Sequence, residues 1–124
     1  MPDQIENEPL EFKFNDSYEG ESVVKVWSDG RDRDPETETY RTVYSYSITT
    51  PRWSYTDNDI HGVPNEEPNL TKAAQSLFAF LYACQESKPG QENYDSFPPQ
   101  VRDWAYHFSE EISSLSLQLE AKER

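Results

Sequence analysis

The chain has 124 residues, enough for one domain with a modest core. It carries 24 acidic and 11 basic residues, a formal net charge of −13. That excess repels nucleic acid and anionic membrane and favours a basic protein partner. The apolar share is a low 34%, but the 14% aromatic share suits a folded core and is unlike an acidic disordered chain.

Residues 1–8 are polar and acidic and read as a flexible tail ahead of a single domain over 9–124. The opening Met1-Pro2-Asp3-Gln4 lacks the basic and apolar regions of a secretory leader. No apolar run reaches the ~18 residues of a membrane span. With Cys84 as the only cysteine, no internal disulfide forms, and the expected location is cytoplasmic. Twelve of the 24 acids fall in the first 38 positions, against four of the 11 bases.

Leu10, Phe12 and Phe14 alternate with Glu11, Lys13 and Asn15, the period of a half-buried strand. Ser17-Tyr18-Glu19-Gly20 supplies a turn. Glu21 to Trp27 reads as a second strand, paired with the first as a hairpin. Ser28 to Glu36 carries charge and chain breakers without an apolar anchor, so it reads as an exposed loop. Thr37 to Thr49 is the clearest strand, with Tyr40, Thr42, Tyr44, Tyr46 and Ile48 on one face. After Pro51, Trp53 and Tyr55 alternate as a short fourth strand, and Asp57 to Pro68 reads as a loop.

The period then changes to 3.6. Leu70, Ala73, Ala74, Leu77, Leu81 and Cys84 share one helical face, flanked by Phe78 and Phe80. Asn69 or the region of Asn65 caps this helix, and Lys88-Pro89-Gly90 stops it. A second helix opens at Pro98-Pro99, capped by Asp95 or Ser96. Val101, Trp104, Ala105, Phe108, Ile112, Leu115 and Leu119 recur along it as far as Lys122. A helix of about 25 residues is ~37 Å long. That exceeds the diameter of ~26 Å expected for a chain this size. Its last turns must protrude or pack on another chain, which makes this helix the expected route to a homo-oligomer.

Strands followed by helices define an α+β fold: an N-terminal antiparallel sheet of three to four strands, covered on one face by two C-terminal helices. Trp104 and Phe108 are expected to pack on Leu77 and Leu81.

Chemical constellations are sparse. Asp57, Asp59 and His61 alternate, and in an extended segment they would point the same way. A metal site needs more convergent ligands than these, and turn hydrogen bonds account for them more simply. Asp29, Asp32, Asp34 and Glu36 invite a calcium reading, but Gly30 is misplaced and two arginines interleave, so the calcium-loop pattern fails. His107 has Asp103 four residues before it, the spacing of an ordinary helical pair. Cys84 lacks an activating neighbour and reads as a small buried apolar group. Four scattered glycines make no phosphate loop, and no serine lies in a nucleophile elbow. The expectation is a non-enzymatic chain with no catalytic residue, no cofactor and no metal.

The aromatic strand face is the better functional candidate. Aromatic sheets stack nucleic-acid bases only beside a basic groove, which an acidic chain lacks. Tyrosine at a rim suits a protein interface. The candidate partner-binding residues are Tyr40, Tyr44, Tyr46, Trp53 and Tyr55 on the sheet, with Leu115 and Leu119 on the second helix. The alternative uses the charge directly: an acidic decoy that imitates DNA phosphates and occupies a basic groove. Such a decoy needs a regular row of carboxylates, and Lys25, Arg31, Arg33 and Arg41 interrupt the dense region.

Trp53-Ser54-Tyr55, then Asn58-Asp59-Ile60-His61-Gly62, then Ala73-Ala74 with Leu77-Phe78-Ala79-Phe80-Leu81, resemble small acidic uncharacterised proteins of actinobacteria and their phages. The resemblance covers residues 43–86. It implies a phage or accessory protein that, by analogy with small acidic phage proteins, binds and modulates a host protein. It carries over no functional residue.

Overall fold

The computed structural model describes residues 8–17, 20–86, 88–90 and 97–123. Residues 1–7 of the expected tail, Tyr18 and Glu19 of the first turn, and the candidate caps Asp95 and Ser96 lie outside them. The fold is α+β, an antiparallel sheet followed by helices. The strands are β1 (Leu10–Asp16), β2 (Gly20–Asp34), β3 (Thr39–Thr49) and β4 (Ser54–His61). The helices are α1 (Leu70–Glu86), α2 (Pro99–His107) and α3 (Ser109–Glu123). Two compact units divide the chain, Met1–Ala73 and Ala74–Arg124. Among the described residues, no helix is long and apolar enough to cross a membrane.

In the first unit the strands lie in chain order, each antiparallel to the next. Residues opposite one another share a face. Phe12 faces Val24, which faces Ile48, which faces Tyr55. Leu10 faces Val26, which faces Tyr46. Val24, Val26, Tyr46 and Ile48 on these rows are at most 4% exposed. β-branched and aromatic groups thus fill one side of the pleat, as the period-two pattern dictates. The other side carries Glu11, Lys13, Lys25 and Thr49, all exposed.

β2 does not end at Trp27. It runs on through the charged segment expected to be a loop, as far as Asp34. A bulge makes this possible. Ser28 pairs with Tyr44 and Gly30 with Val43, so Asp29 is the extra residue. Gly30 sits at φ +109°, a conformation that side chains disfavour, immediately after the bulge. Beyond it, Asp32 lies opposite Arg41 and Arg33 opposite Tyr40, with the Arg33 guanidinium 5.9 Å from the Tyr40 ring centre. The main-chain ladder with β3 and the Arg33–Tyr40 cation–π contact hold this extension where apolar burial is missing. The hairpin closes through Asp34, whose Oδ1 accepts the Glu36 N–H at 3.0 Å, and Glu38 N–H donates to the Asp34 carbonyl at 2.8 Å.

β4 is also longer than expected, and residues 57–61 of the expected loop belong to it. The β3–β4 turn is organised by Thr50, whose hydroxyl accepts the N–H groups of Arg52 and Trp53 at 3.2 and 3.0 Å.

α1 starts where the sequence places it. Asn69 Oδ1 accepts the Lys72 N–H at 2.9 Å, which makes Asn69 the N-cap. In the second unit Ala74, Leu77, Phe78, Leu81 and Cys84 are buried along α1, and Val101, Trp104 and Ala105 along α2. Leu77, Leu81, Trp104 and Phe108 are thus all buried, and the Trp104 and Phe108 rings lie 5.3 Å apart.

The long second helix is broken. Phe108, at φ −103° and ψ 25°, separates α2 from α3. Its N–H donates to the Trp104 carbonyl at 3.0 Å, and its own carbonyl accepts the Ile112 N–H at 2.9 Å, so one helix ends on the residue from which the next begins. Nine and fifteen residues give segments of roughly 14 and 22 Å. The single continuous helix expected from the sequence is therefore two segments that meet at Phe108. The signal was Ser109-Glu110-Glu111: acidic residues in a first turn mark a helix start.

Candidate protein interface

The candidate residues divide by burial. Tyr44 and Tyr46 are 8% and 4% exposed and Leu119 is 4% exposed, so these three belong to the interior and present no surface. Trp53, Tyr55 and Leu115 are half-buried. The Tyr55 ring lies 6.3 Å from that of Tyr46. Burial and then the nearby Asp57 carboxylate push the Tyr55 hydroxyl pKa up, so the phenol stays neutral. Tyr40 alone of the sheet candidates is well exposed, at 50%.

The segment after β4 explains the split. Gly62 N–H donates to the Thr42 carbonyl at 2.8 Å and Asn65 N–H to the Tyr40 carbonyl at 2.6 Å, which extends the edge alongside the start of β3. A Cβ on Gly62 would lie 3.0 Å from the Tyr44 ring, so any larger residue would crowd this approach. The Tyr44 hydroxyl then accepts the Asn69 N–H at 2.9 Å, just before α1. Tyr44 is therefore a structural tyrosine with its polar end satisfied.

Two residues that the sequence reading missed stand with Tyr40. Ile60 and Val63 are 38% and 51% exposed. Ile60 faces Tyr44 in the β3–β4 register, and Val63 follows the edge toward Tyr40. Three basic groups of this region are engaged within the chain. Arg31 pairs with Glu67 at 3.1 Å, Arg33 with Glu38 at 3.0 Å, and Lys72 with Glu66 at 2.9 Å. This stretch of the sheet thus exposes three apolar side chains, Tyr40, Ile60 and Val63, in a segment that also carries internally paired charges. Ile60 and Val63 were hidden because their apolar character lay in a segment expected to be a polar loop.

The chemical constellations are taken apart by the strands. Tyr44 faces Ile60 while Tyr46 faces Asp57, so β4 carries an extra residue between them. That bulge puts Asp57 and His61 on opposite faces, and the expected common direction is lost. The Asp59 side chain lies outside the described residues. His61 Nε2 is instead 3.6 Å from Asp32 Oδ2. Among the described residues, no group of three His, Cys, Asp or Glu side chains is placed to hold a metal ion. Asp29 is engaged elsewhere: its carboxylate accepts the Trp27 Nε1–H at 2.9 Å and the hydroxyl of Ser45, which is fully buried. His107 and Asp103 are exposed, and the His107 ring sets its edge on Phe108 at 4.7 Å. Burial pushes the Cys84 thiol pKa up, opposed in part by the Arg102 guanidinium, so the thiol is held in its unreactive form.

The second unit has an open groove of about 360 Å³ lined by Tyr82, Ser109, Glu110, Ser113, Ser114 and Leu117. The Tyr82 hydroxyl donates to Glu86, which raises its pKa. This lining brings together hydroxyls and one carboxylate, with neither a nucleophile–base pair nor a candidate residue from the sequence.

Comparison of the chain with protein-family profiles, curated proteins and solved structures finds no match.

Proposed function

We propose that the chain is a non-enzymatic protein-binding module, an accessory protein that binds and modulates a host protein through the Tyr40 end of its sheet. The observation that carries this reading is the exposure of Tyr40, Ile60 and Val63 on β3, β4 and the segment after it, with the charged pairs Arg31–Glu67, Arg33–Glu38 and Lys72–Glu66 formed within the chain. Apolar anchors within a polar rim are the usual anatomy of a protein interface. The chain's formal charge of −13 favours a partner with a basic surround. The decoy reading draws less support, because Asp29, Glu38, Glu66 and Glu67 each have a partner within the chain and so contribute no free row of carboxylates.

The test is capture from a lysate of the source cells by wild type and by the triple variant Tyr40→Ser, Ile60→Ser, Val63→Ser. The variant should keep the wild-type melting curve and lose roughly tenfold or more of the captured partner. Undiminished capture by a folded variant refutes this interface. If capture is instead abolished by excess DNA and falls steeply with salt, the decoy reading replaces it.

A further inference from the structure

We infer that the groove between α1 and α3 is a binding site for a lysine side chain of a protein partner. The groove is open and holds about 360 Å³, at the small end of the ~300–1,000 Å³ range of ligand sites. It belongs wholly to the second unit and shares no residue with the Tyr40 surface.

All but one of its lining residues lie on α3, and their spacing makes them one wall. Ser109, Ser113 and Leu117 recur every four residues, and Glu110 and Ser114 run beside them. From Ser109 to Leu117 this wall is about 12 Å long, at ~1.5 Å per residue. Tyr82 on α1 forms the other side. Its hydroxyl donates to Glu86, one turn further along α1, which tethers the far end of the ring.

The chemistry changes along the wall. A carboxylate and hydroxyls stand at the start of α3, and Leu117 closes the other end. Leu117 is 64% exposed, so its own chain makes little use of its apolar surface. A lysine side chain has the same order from tip to stem: a cation with three donors, then an apolar chain. Glu110 and the serine hydroxyls would accept from the ammonium, while Tyr82 and Leu117 cover the methylenes. The planar fork of arginine wants two parallel acceptors. One carboxylate among separate hydroxyls suits the rotatable donors of an ammonium better.

Charge decides against an anion. The start of a helix by itself attracts one. Glu110 and Glu111 already occupy the first turn of α3, however, and the residues lining the groove include no basic group. At −13 the whole chain also draws cations toward it.

One side chain in an open groove binds weakly, with a dissociation constant roughly in the millimolar range. The probe is a short blocked peptide holding one lysine beside one leucine, titrated into the full chain and followed by amide NMR. Shifts should concentrate at Tyr82, Ser109, Glu110, Ser113 and Leu117. The same peptide with norleucine in place of lysine should bind at least roughly threefold more weakly. Glu110→Gln should weaken the lysine peptide by roughly threefold, and Leu117→Ser by a similar factor. Glu110 and Leu117 are exposed, so both variants should keep the wild-type melting curve. Glu11→Gln removes the same charge from an exposed position on the sheet and should leave the affinity unchanged. Shifts absent from the groove, or spread evenly over the acidic surface, overturn the inference. So does equal binding of the norleucine peptide, or an equal loss in Glu110→Gln and Glu11→Gln, since either makes the attraction nonspecific.

Discussion

Asp29→Ala tests the bulge that carries β2 through its charged half. The Ser45 hydroxyl is 0% exposed and donates to the Asp29 carboxylate. Removing the acceptor leaves a buried donor with neither partner nor water, which costs about 1–3 kcal/mol. Trp27 Nε1 also loses its acceptor, but the indole is half-buried and water replaces most of that bond. Loss of one negative charge from a chain at −13 works the other way, though screening keeps an exposed carboxylate's share small. The expected net loss is about 2 kcal/mol. Ser45→Ala should cost less, about 0.5–1.5 kcal/mol, because the exposed Asp29 is rehydrated. The double variant should sit near Ser45→Ala alone, leaving a coupling of about 2 kcal/mol, the whole of the Asp29→Ala loss. Equilibrium urea unfolding followed by tryptophan fluorescence measures all four proteins. With a slope of ~1–3 kcal/mol/M, Asp29→Ala should lower the midpoint by roughly 1 M. A shift below ~0.2 M, or strictly additive losses, would show that this hydrogen bond does not hold the bulge.

Three further outcomes are expected. Asn69→Ala removes the acceptor of the Lys72 N–H and should cost about 1 kcal/mol in the same melt, with Asn69→Asp recovering most of it. Trp104→Ala empties a site only 6% exposed and should cost about 3–5 kcal/mol, so a loss under ~1 kcal/mol would deny Trp104 a place in the helical core. The Asp34 pKa lies below the ordinary aspartate value, chiefly because the carboxylate accepts the Glu36 N–H. A lowered folded-state pKa means that its stabilisation is complete above the unfolded value near ~4 and fades as pH falls through the folded one. Carboxyl NMR titration should show the depressed midpoint, and Asp34→Asn should remove its share of the loosening of the β2–β3 turn at low pH. A midpoint at or above the ordinary value contradicts the hydrogen bond.

The amino-acid sequence by itself determined what short-range periodicity encodes. Leu10, Phe12 and Phe14 mark a strand, Tyr44, Tyr46 and Ile48 mark the apolar face of another, and Leu77, Leu81 and Cys84 mark a helix with Asn69 at its start. These patterns need only the geometry of one element and the contrast between apolar and polar side chains. Tertiary structure decided what depends on a second element. The charged half of β2 is a strand because Arg41 and Tyr40 lie across from it, and no local pattern announces that. A bulge reverses which residues share a face, so Asp57 and His61 part company although their spacing says they align. Tyr44 and Tyr46 are buried while Tyr40, on the same face, is exposed, because burial depends on where the chain next runs. The surface candidate, Tyr40 with Ile60 and Val63, was legible in the sequence only at Tyr40. Ile60, in β4, was placed there by pairing with Tyr44, and Val63 lies between the Gly62 and Asn65 bonds to Thr42 and Tyr40.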